Sequence, residues 1–279
     1  MSGKITSLGS GSVMGTRQII RNGLIAYWDA ANYLSVPTAS TNFFGIYGGD
    51  LFYDMIGQNH LTATGPTVKY KTAYNLTALY NPFNGHFSFP NSATPSYFYN
   101  GSLTGDMNST SLPGLTLEFV GQIGDDAFGS AFFAKGTNLS FSTADYSLYP
   151  NKNSTSNQFT TMSFSINVGG INYTLIADDI AFSPGYYPTQ PIRHICSTYD
   201  GSTMKLYIDG IQSSKTTSIS GPIRNTGNVC GFFYHDSATY VAAGYFLIFR
   251  IYNRALSFQE IQQNYLAQKG RYNNTPPSP

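Results

Sequence analysis

The chain has 279 residues, a net charge of +1 and no basic block, so it lacks the aligned Lys and Arg that phosphate binding by counterion release requires. Charged residues are 10% of it and aromatic residues 15%, against roughly 25% charged in an ordinary globular domain. Ser, Thr, Asn, Gly and Tyr replace the missing charge, a mixture that suits strands and turns, and no apolar run of about 18 residues is present to span a membrane.

Residues 1–20 are punctuated by Gly and Ser and carry isolated apolar residues at Ile5, Leu8, Val13, Met14, Ile19 and Ile20. This reads as an extended arm that docks on a neighbouring subunit or lies along its own domain. It has no apolar core long enough for a signal peptide, so the protein is expected to be made in a cytoplasm. One domain is predicted over 21–272, opening with the apolar run GLIAYWDA (23–30) that holds Trp28. Strands follow at 115–123, 130–136, 162–168, 171–177, 193–200, 203–210 and 245–253. In the first of these, Leu115, Leu117, Phe119 and Gly121 share one face. Gly169-Gly170, Asp200-Gly201 and Asp209-Gly210 are turn signals, and short strands at such spacing argue for a sandwich or jelly roll. Ser257-Phe258-Gln259-Glu260 is a capping box that starts a helix with Ile261, Tyr265 and Leu266 near helical spacing and Gly270 as its stop. The tail 273–279 (NNTPPSP) is expected to be disordered. Cys196 and Cys230 are too few for a disulfide framework or a zinc site and read as small buried hydrophobes.

These pieces, in this order, carry a resemblance. GLIAYWDAAN (23–32) is similar to an opening strand, and YDMIGQNHLTATG (53–65) to a turn region in which Met55 and Ile56 replace a usual small polar residue. HICSTYDGSTMKLYIDGIQ (194–212) and AGYFLIFRIYNRALSFQEIQQNY (243–265) are similar to a Tyr-Asp-Gly-Ser…Leu-Tyr-Ile-Asp-Gly hairpin and to a closing strand and helix. Together they resemble the laminin-G-like, concanavalin A-like jelly rolls common in bacteriophage structural proteins, although 66–113 matches nothing in that pattern. The resemblance implies an all-β sandwich of two antiparallel sheets with a short C-terminal helix. It also implies a non-catalytic virion protein at the particle surface, a capsid decoration, fibre or tail-associated component, whose partners are other virion proteins or a second copy of itself. The alternative is a module that adheres to cell-surface glycans.

Catalysis finds little support in the residues. A retaining glycosidase needs two carboxyl groups about 5 Å apart, and the chain has only two glutamates, Glu118 and Glu260. His60, His86, His194 and His235 are scattered, and no nucleophile or zinc-protease motif occurs. Cofactors are expected to be none, unless calcium is held by Asp125-Asp126 or Asp178-Asp179, with Asp145 and Asp236 as further acids. The surface tyrosines Tyr97, Tyr99, Tyr186 and Tyr187 are the candidate glycan contacts.

Overall fold

The computed structural model describes residues 18–30, 32, 34–35, 51–64, 69–71, 86–89, 97–123, 131–137, 143–152, 159–179, 191–234 and 244–270. In chain order the strands are β1 (Leu24–Asp29), β2 (Leu51–Phe52), β3 (Leu61–Thr64), β4 (Lys69–Lys71), β5 (His86–Phe89), β6 (Tyr97–Asn100), β7 (Ser111–Leu112), β8 (Leu115–Ile123), β9 (Ala131–Gly136) and β10 (Tyr146–Lys152). There follow β11 (Phe159–Val168), β12 (Ile171–Ala177), β13 (Arg193–Tyr199), β14 (Thr203–Ile208), β15 (Ile211–Gln212), β16 (Thr217–Ser218), β17 (Ile223–Arg224), β18 (Val229–Tyr234) and β19 (Gly244–Tyr252), then helix α1 (Phe258–Lys269). Among the described residues these strands form two antiparallel sheets. A nine-stranded sheet runs β15-β14-β13-β8-β19-β5-β4, with β1 also on β19 and β16 on β14. A ten-stranded sheet runs β2-β3-β6-β18-β9-β10-β11-β17-β7, with β12 also on β11. The expected fold class is the one observed.

Alternation builds the core between the sheets. Leu115, Leu117 and Phe119 of β8 enter it with Trp28, while Phe98, Phe133, Phe164 and Phe232 enter from the other sheet. Phe119 stacks on Phe132 at 4.6 Å, and Trp28 meets Phe232 edge-on at 5.3 Å. Phe233 has φ 56°, which costs on the order of 1 kcal/mol in a bulky residue, yet it places the consecutive rings Phe232 and Phe233 in one core. Burying a second ring is worth about 2–3 kcal/mol, so burial wins.

The turn signals act as read. Gly169 and Gly170 (φ 61° and 88°) close the β11–β12 hairpin, where Val168 faces Ile171. Asp209 and Gly210 (φ 51° and 76°) close β14–β15 in the same left-handed region. The Asp209 carboxylate also accepts from the His194 backbone N–H at 2.9 Å and from Arg193 at 2.5 Å. Asp200 accepts from the N–H groups of Ser202 and Thr203 at 2.9 and 2.8 Å. The departure at Met55-Ile56 is harmless because Asp54 organises that turn, accepting from the Tyr27 and Ile56 N–H groups at 2.9 and 3.0 Å, while Ile56 lies exposed.

Helix α1 differs from expectation on one point. Its capping box is present, and Arg254 grips Glu260 at 2.6 and 2.9 Å. Its buried residues, however, are Ile261, Asn264 and Gln268, while Leu266 is 39% exposed and Tyr265 packs only partly. A polar residue faces inward because Asn264 has partners there: its Nδ2 donates to Glu118 and to the Tyr252 hydroxyl, both at 3.0 Å. Gly270 caps the helix in the ordinary right-handed region (φ −65°), not in the left-handed one that would demand glycine.

Candidate functional site

The outer face of the ten-stranded sheet is built by the residues that alternate away from the core. On β6, Phe98 points inward, so Tyr97 and Tyr99 point outward and are half-buried. Tyr99, Tyr149 and Val229 pack around Ala134 and Ala144 on this side. The partner of Tyr99 on β18 is Gly231. Gly101 beside it leaves room for that ring, since a Cβ there would come within 2.7 Å of the Tyr99 hydroxyl and displace it.

From this aromatic patch a ladder of hydroxyls crosses three strands. The Tyr149 hydroxyl (β10) lies 3.2 Å from Ser165 Oγ (β11), which lies 2.6 Å from Thr174 Oγ1 (β12). Parallel rungs are made by Asn151 donating to Ser163, and by Asn167 donating to Asn172 at 2.5 Å. Thr174 at the end of the ladder is exposed and Tyr149 half-buried, whereas Ser163, Ser165 and Asn167 within it are buried. The patch and ladder together offer tyrosine rings beside neutral donors and acceptors, the combination that fixes a polyhydroxylated ligand by one apolar surface and several oriented hydrogen bonds.

Sequence reasoning named Tyr97 and Tyr99 as glycan contacts in loop-like surroundings, but the alternation around Phe98 puts them on strand β6; Tyr149, Ser165 and Thr174 carried no signal that it used. Tyr186 and Tyr187 lie outside the described residues.

The opposite outer face, on the nine-stranded sheet, is closed. Glu118 of β8 points there and meets Arg250 at 2.9 and 3.1 Å, His194 Nε2 at 2.6 Å and Asn264 at 3.0 Å, all beneath α1. Glu118, His194, Arg250 and Asn264 are fully buried. Burial alone would raise the Glu118 pKa, but Arg250 and His194 outweigh it and hold the carboxyl at about 2. Glu260 is likewise held at about 2, chiefly by Arg254. Glu118 is sealed from solvent, and the partly exposed Glu260 is tied to Arg254 and the helix cap. Burial also pushes both thiols, Cys196 and Cys230, above their usual range.

The described acids among those considered for calcium, Asp145, Asp178 and Asp179, have other partners. Asp178 is exposed and lies 3.5 Å from Lys215. Asp179 accepts from the Ser213 hydroxyl and the Ser214 N–H, each at 2.5 Å, and the Ser213 bond leads in lowering its pKa to about 2. Asp145 is buried against Lys135 (3.1 Å) and Arg224 (2.6 Å), two cations where a metal ion would need anions. Among the described residues no three His, Cys, Asp or Glu side chains gather as a metal site would require. Asp125, Asp126, His235 and Asp236 lie outside the described residues.

Of the arm, Ile5, Leu8, Val13 and Met14 also lie outside the described residues. Ile19 and Ile20 pack partly against the small core under α1. The Ile20 N–H donates to Asn264 Oδ1 at 2.8 Å, and its carbonyl accepts from the Tyr252 hydroxyl at 3.1 Å. These two residues therefore serve the fold of their own domain.

Known proteins give the class. Residues 124–262 match the family model described as the concanavalin A-like lectin/glucanases superfamily. The two-sheet fold is accordingly a concanavalin A-like jelly roll. No curated protein matches it. Among solved structures, the receptor binding domain of botulinum neurotoxin D aligns with a TM-score of 0.55 at 12% identity, covering 88% of this chain and 53% of that one. The botulinum neurotoxin serotype G binding domain aligns at 0.53 and 16%, covering 77% and 48%. A serotype D ligand binding domain in complex with N-acetylneuraminic acid aligns at 0.52 and 13%, covering 88% and 51%. At such identities the likeness is one of fold, and the chain spans about half the length of these structures.

Proposed function

We propose that this protein is a non-catalytic recognition module that binds carbohydrate on the outer face of the ten-stranded sheet. The neutral tyrosine and hydroxyl surface of Tyr99, Tyr149 and Thr174, with Ser165 buried between the last two and bonded to both, carries the reading. The engagement of both glutamates in ion pairs supports a binding role over hydrolysis, and a related fold in complex with a sugar acid supports the ligand class. Glycan-array screening of the purified protein tests it. Binding to at least one glycan is expected, weakened about tenfold or more in Tyr149→Ala, as for a central aromatic contact. An array with no binder, or hydrolysis of a bound glycan, would overturn it.

The setting we infer is the surface of a virus-type particle, as the motif resemblance implies. Ile19 and Ile20 are held against α1 of their own domain, so the docking role proposed for the arm falls to residues 1–18. Mass spectrometry of density-purified particles from the encoding source should find the chain at a copy number comparable with the shell or tail proteins. Its absence would leave a free-standing lectin.

A further inference from the structure

We propose that Asn22-Gly23, at the root of the N-terminal segment, is a self-modifying site at which Asn22 converts to isoaspartate through a succinimide. The chemistry is intramolecular. The Gly23 backbone nitrogen loses its proton to base and attacks Asn22 Cγ, and the carboxamide nitrogen leaves as ammonia. Water then opens the five-membered ring at one of its two carbonyls. Opening at the Asn22 main-chain carbonyl gives isoaspartate, and opening at the former side-chain carbonyl gives aspartate. Glycine after asparagine favours ring closure because it has no Cβ to shield the attacking nitrogen.

The sequence holds this dipeptide three times, at 22–23, 84–85 and 100–101, and the second lies outside the described residues. The other two differ in their surroundings. Asn100, half-buried at the end of β6, is fixed at both ends of its carboxamide. Its Nδ2 donates to the His60 carbonyl at 2.8 Å and its Oδ1 accepts from the Ser102 N–H at 2.7 Å, so turning Cγ towards Gly101 would break both bonds. Asn22 is exposed. It stands in a tight turn closed by the Leu24 N–H on the Arg21 carbonyl at 3.1 Å, with Gly23 at φ 79°. Among the described residues neither its carboxamide nor the Gly23 N–H has a partner.

The turn also selects the product. Arg254 Nε donates to the Asn22 carbonyl at 3.0 Å, which draws electrons from that carbon and directs water to it. The same opening releases an α-carboxylate against the guanidinium, a charge-assisted pair. Isoaspartate carries the main chain through Cβ and Cγ, so the turn lengthens by one carbon just upstream of β1. Residues 18–20, held on α1 by Gln263 and Asn264, are thereby pushed out of register with the helix.

The full chain, incubated in mildly alkaline buffer at body temperature, is followed by peptide mapping. Asn22 should gain the mass of an amide hydrolysed to an acid about tenfold or more faster than Asn100, where two hydrogen bonds must break first. The converted peptide should accept a methyl group from an isoaspartate methyltransferase, and the Ile20 amide should exchange hydrogen faster in the aged protein. Asn22→Gln, whose longer side chain would have to close a six-membered ring, should stay unmodified with unchanged exchange. An Asn22 that stays intact while an unfolded Asn-Gly peptide converts, or that converts no faster than Asn100, would overturn the proposal. So would aspartate as the main product, or an aged protein whose Ile20 exchange matches that of the fresh one. None of these outcomes depends on whether a glycan binds.

Discussion

The two outer faces of the sandwich solve the same problem in opposite ways. Each sheet buries one side in the shared core and must do something with the other. The nine-stranded sheet hides its second side beneath α1, and the residues there are charged: Glu118, His194 and Arg250, tied by Asn264 to the helix. The ten-stranded sheet leaves Thr174 and Ile176 exposed, and its side chains there are tyrosines, hydroxyls and amides. The difference teaches where contact can occur. Charges placed under a helix are committed to one another, whereas neutral hydroxyls at a sheet surface remain able to exchange water for a ligand. The charged side fastens the fold, and the neutral side is where the proposed recognition would take place.

The largest test of that division is Arg250→Ala. It leaves Glu118 buried against His194 and Asn264 without its main counter-charge, and removing one partner of a buried pair costs about 3–5 kcal/mol. Urea denaturation should show this loss; a change below about 1 kcal/mol would mean that α1 opens and lets water reach Glu118. Acid probes the same group. Its folded pKa of about 2 lies below the ordinary 4.5, so its contribution is complete above pH 4.5 and is lost as the pH falls through 2. The difference corresponds to about 3 kcal/mol, and in Glu118→Gln the fall in stability over that window should shrink accordingly.

Asn264→Ala is expected to cost less, about 1–3 kcal/mol, because the lost hydrogen bonds to Glu118, Tyr252 and Ile20 leave buried groups that are still partly satisfied. It should also loosen residues 18–20 from the helix, which hydrogen exchange at the Ile20 amide would report. Unchanged protection there would show that apolar packing alone holds Ile19 and Ile20.

Why one face was legible in the sequence and the other was not follows from how each is made. Alternation in LTLEFVGQI gave β8 to the residue, and the paired glycines after Val168 gave the β11–β12 hairpin, because these signals are local. The Glu118 network joins residues 76 and 132 positions apart, and nothing in a lone Glu or His announces such a partner. The helix pattern misled for the same reason: Asn264 faces inward to meet a distant carboxylate while Leu266 is left outside. Strand β10, which supplies Tyr149, holds Pro150, a residue that argues against a strand. The structure admits it because the β9 pairing ends at Leu148, so the missing N–H costs no bond on that side. With β10 unread, the hydroxyl ladder could not be seen.

The smallest expected effect lies on the open face and sharpens the contrast most. Ser165 sits at the middle of the ladder, so Ser165→Ala removes both of its hydroxyl contacts at once. If the ladder fastened the sheet as the Glu118 network fastens the helix, the loss would approach that of Arg250→Ala. Ser165 itself is buried, but both neighbours reach solvent, Tyr149 half-buried and Thr174 exposed, so water can replace the partner each loses. The expected cost is therefore about 1 kcal/mol or less by urea denaturation, with a clear loss of glycan binding in the same protein. A large stability loss with binding intact would reverse the assignment, making the neutral face structural and leaving recognition to be sought elsewhere on the sandwich.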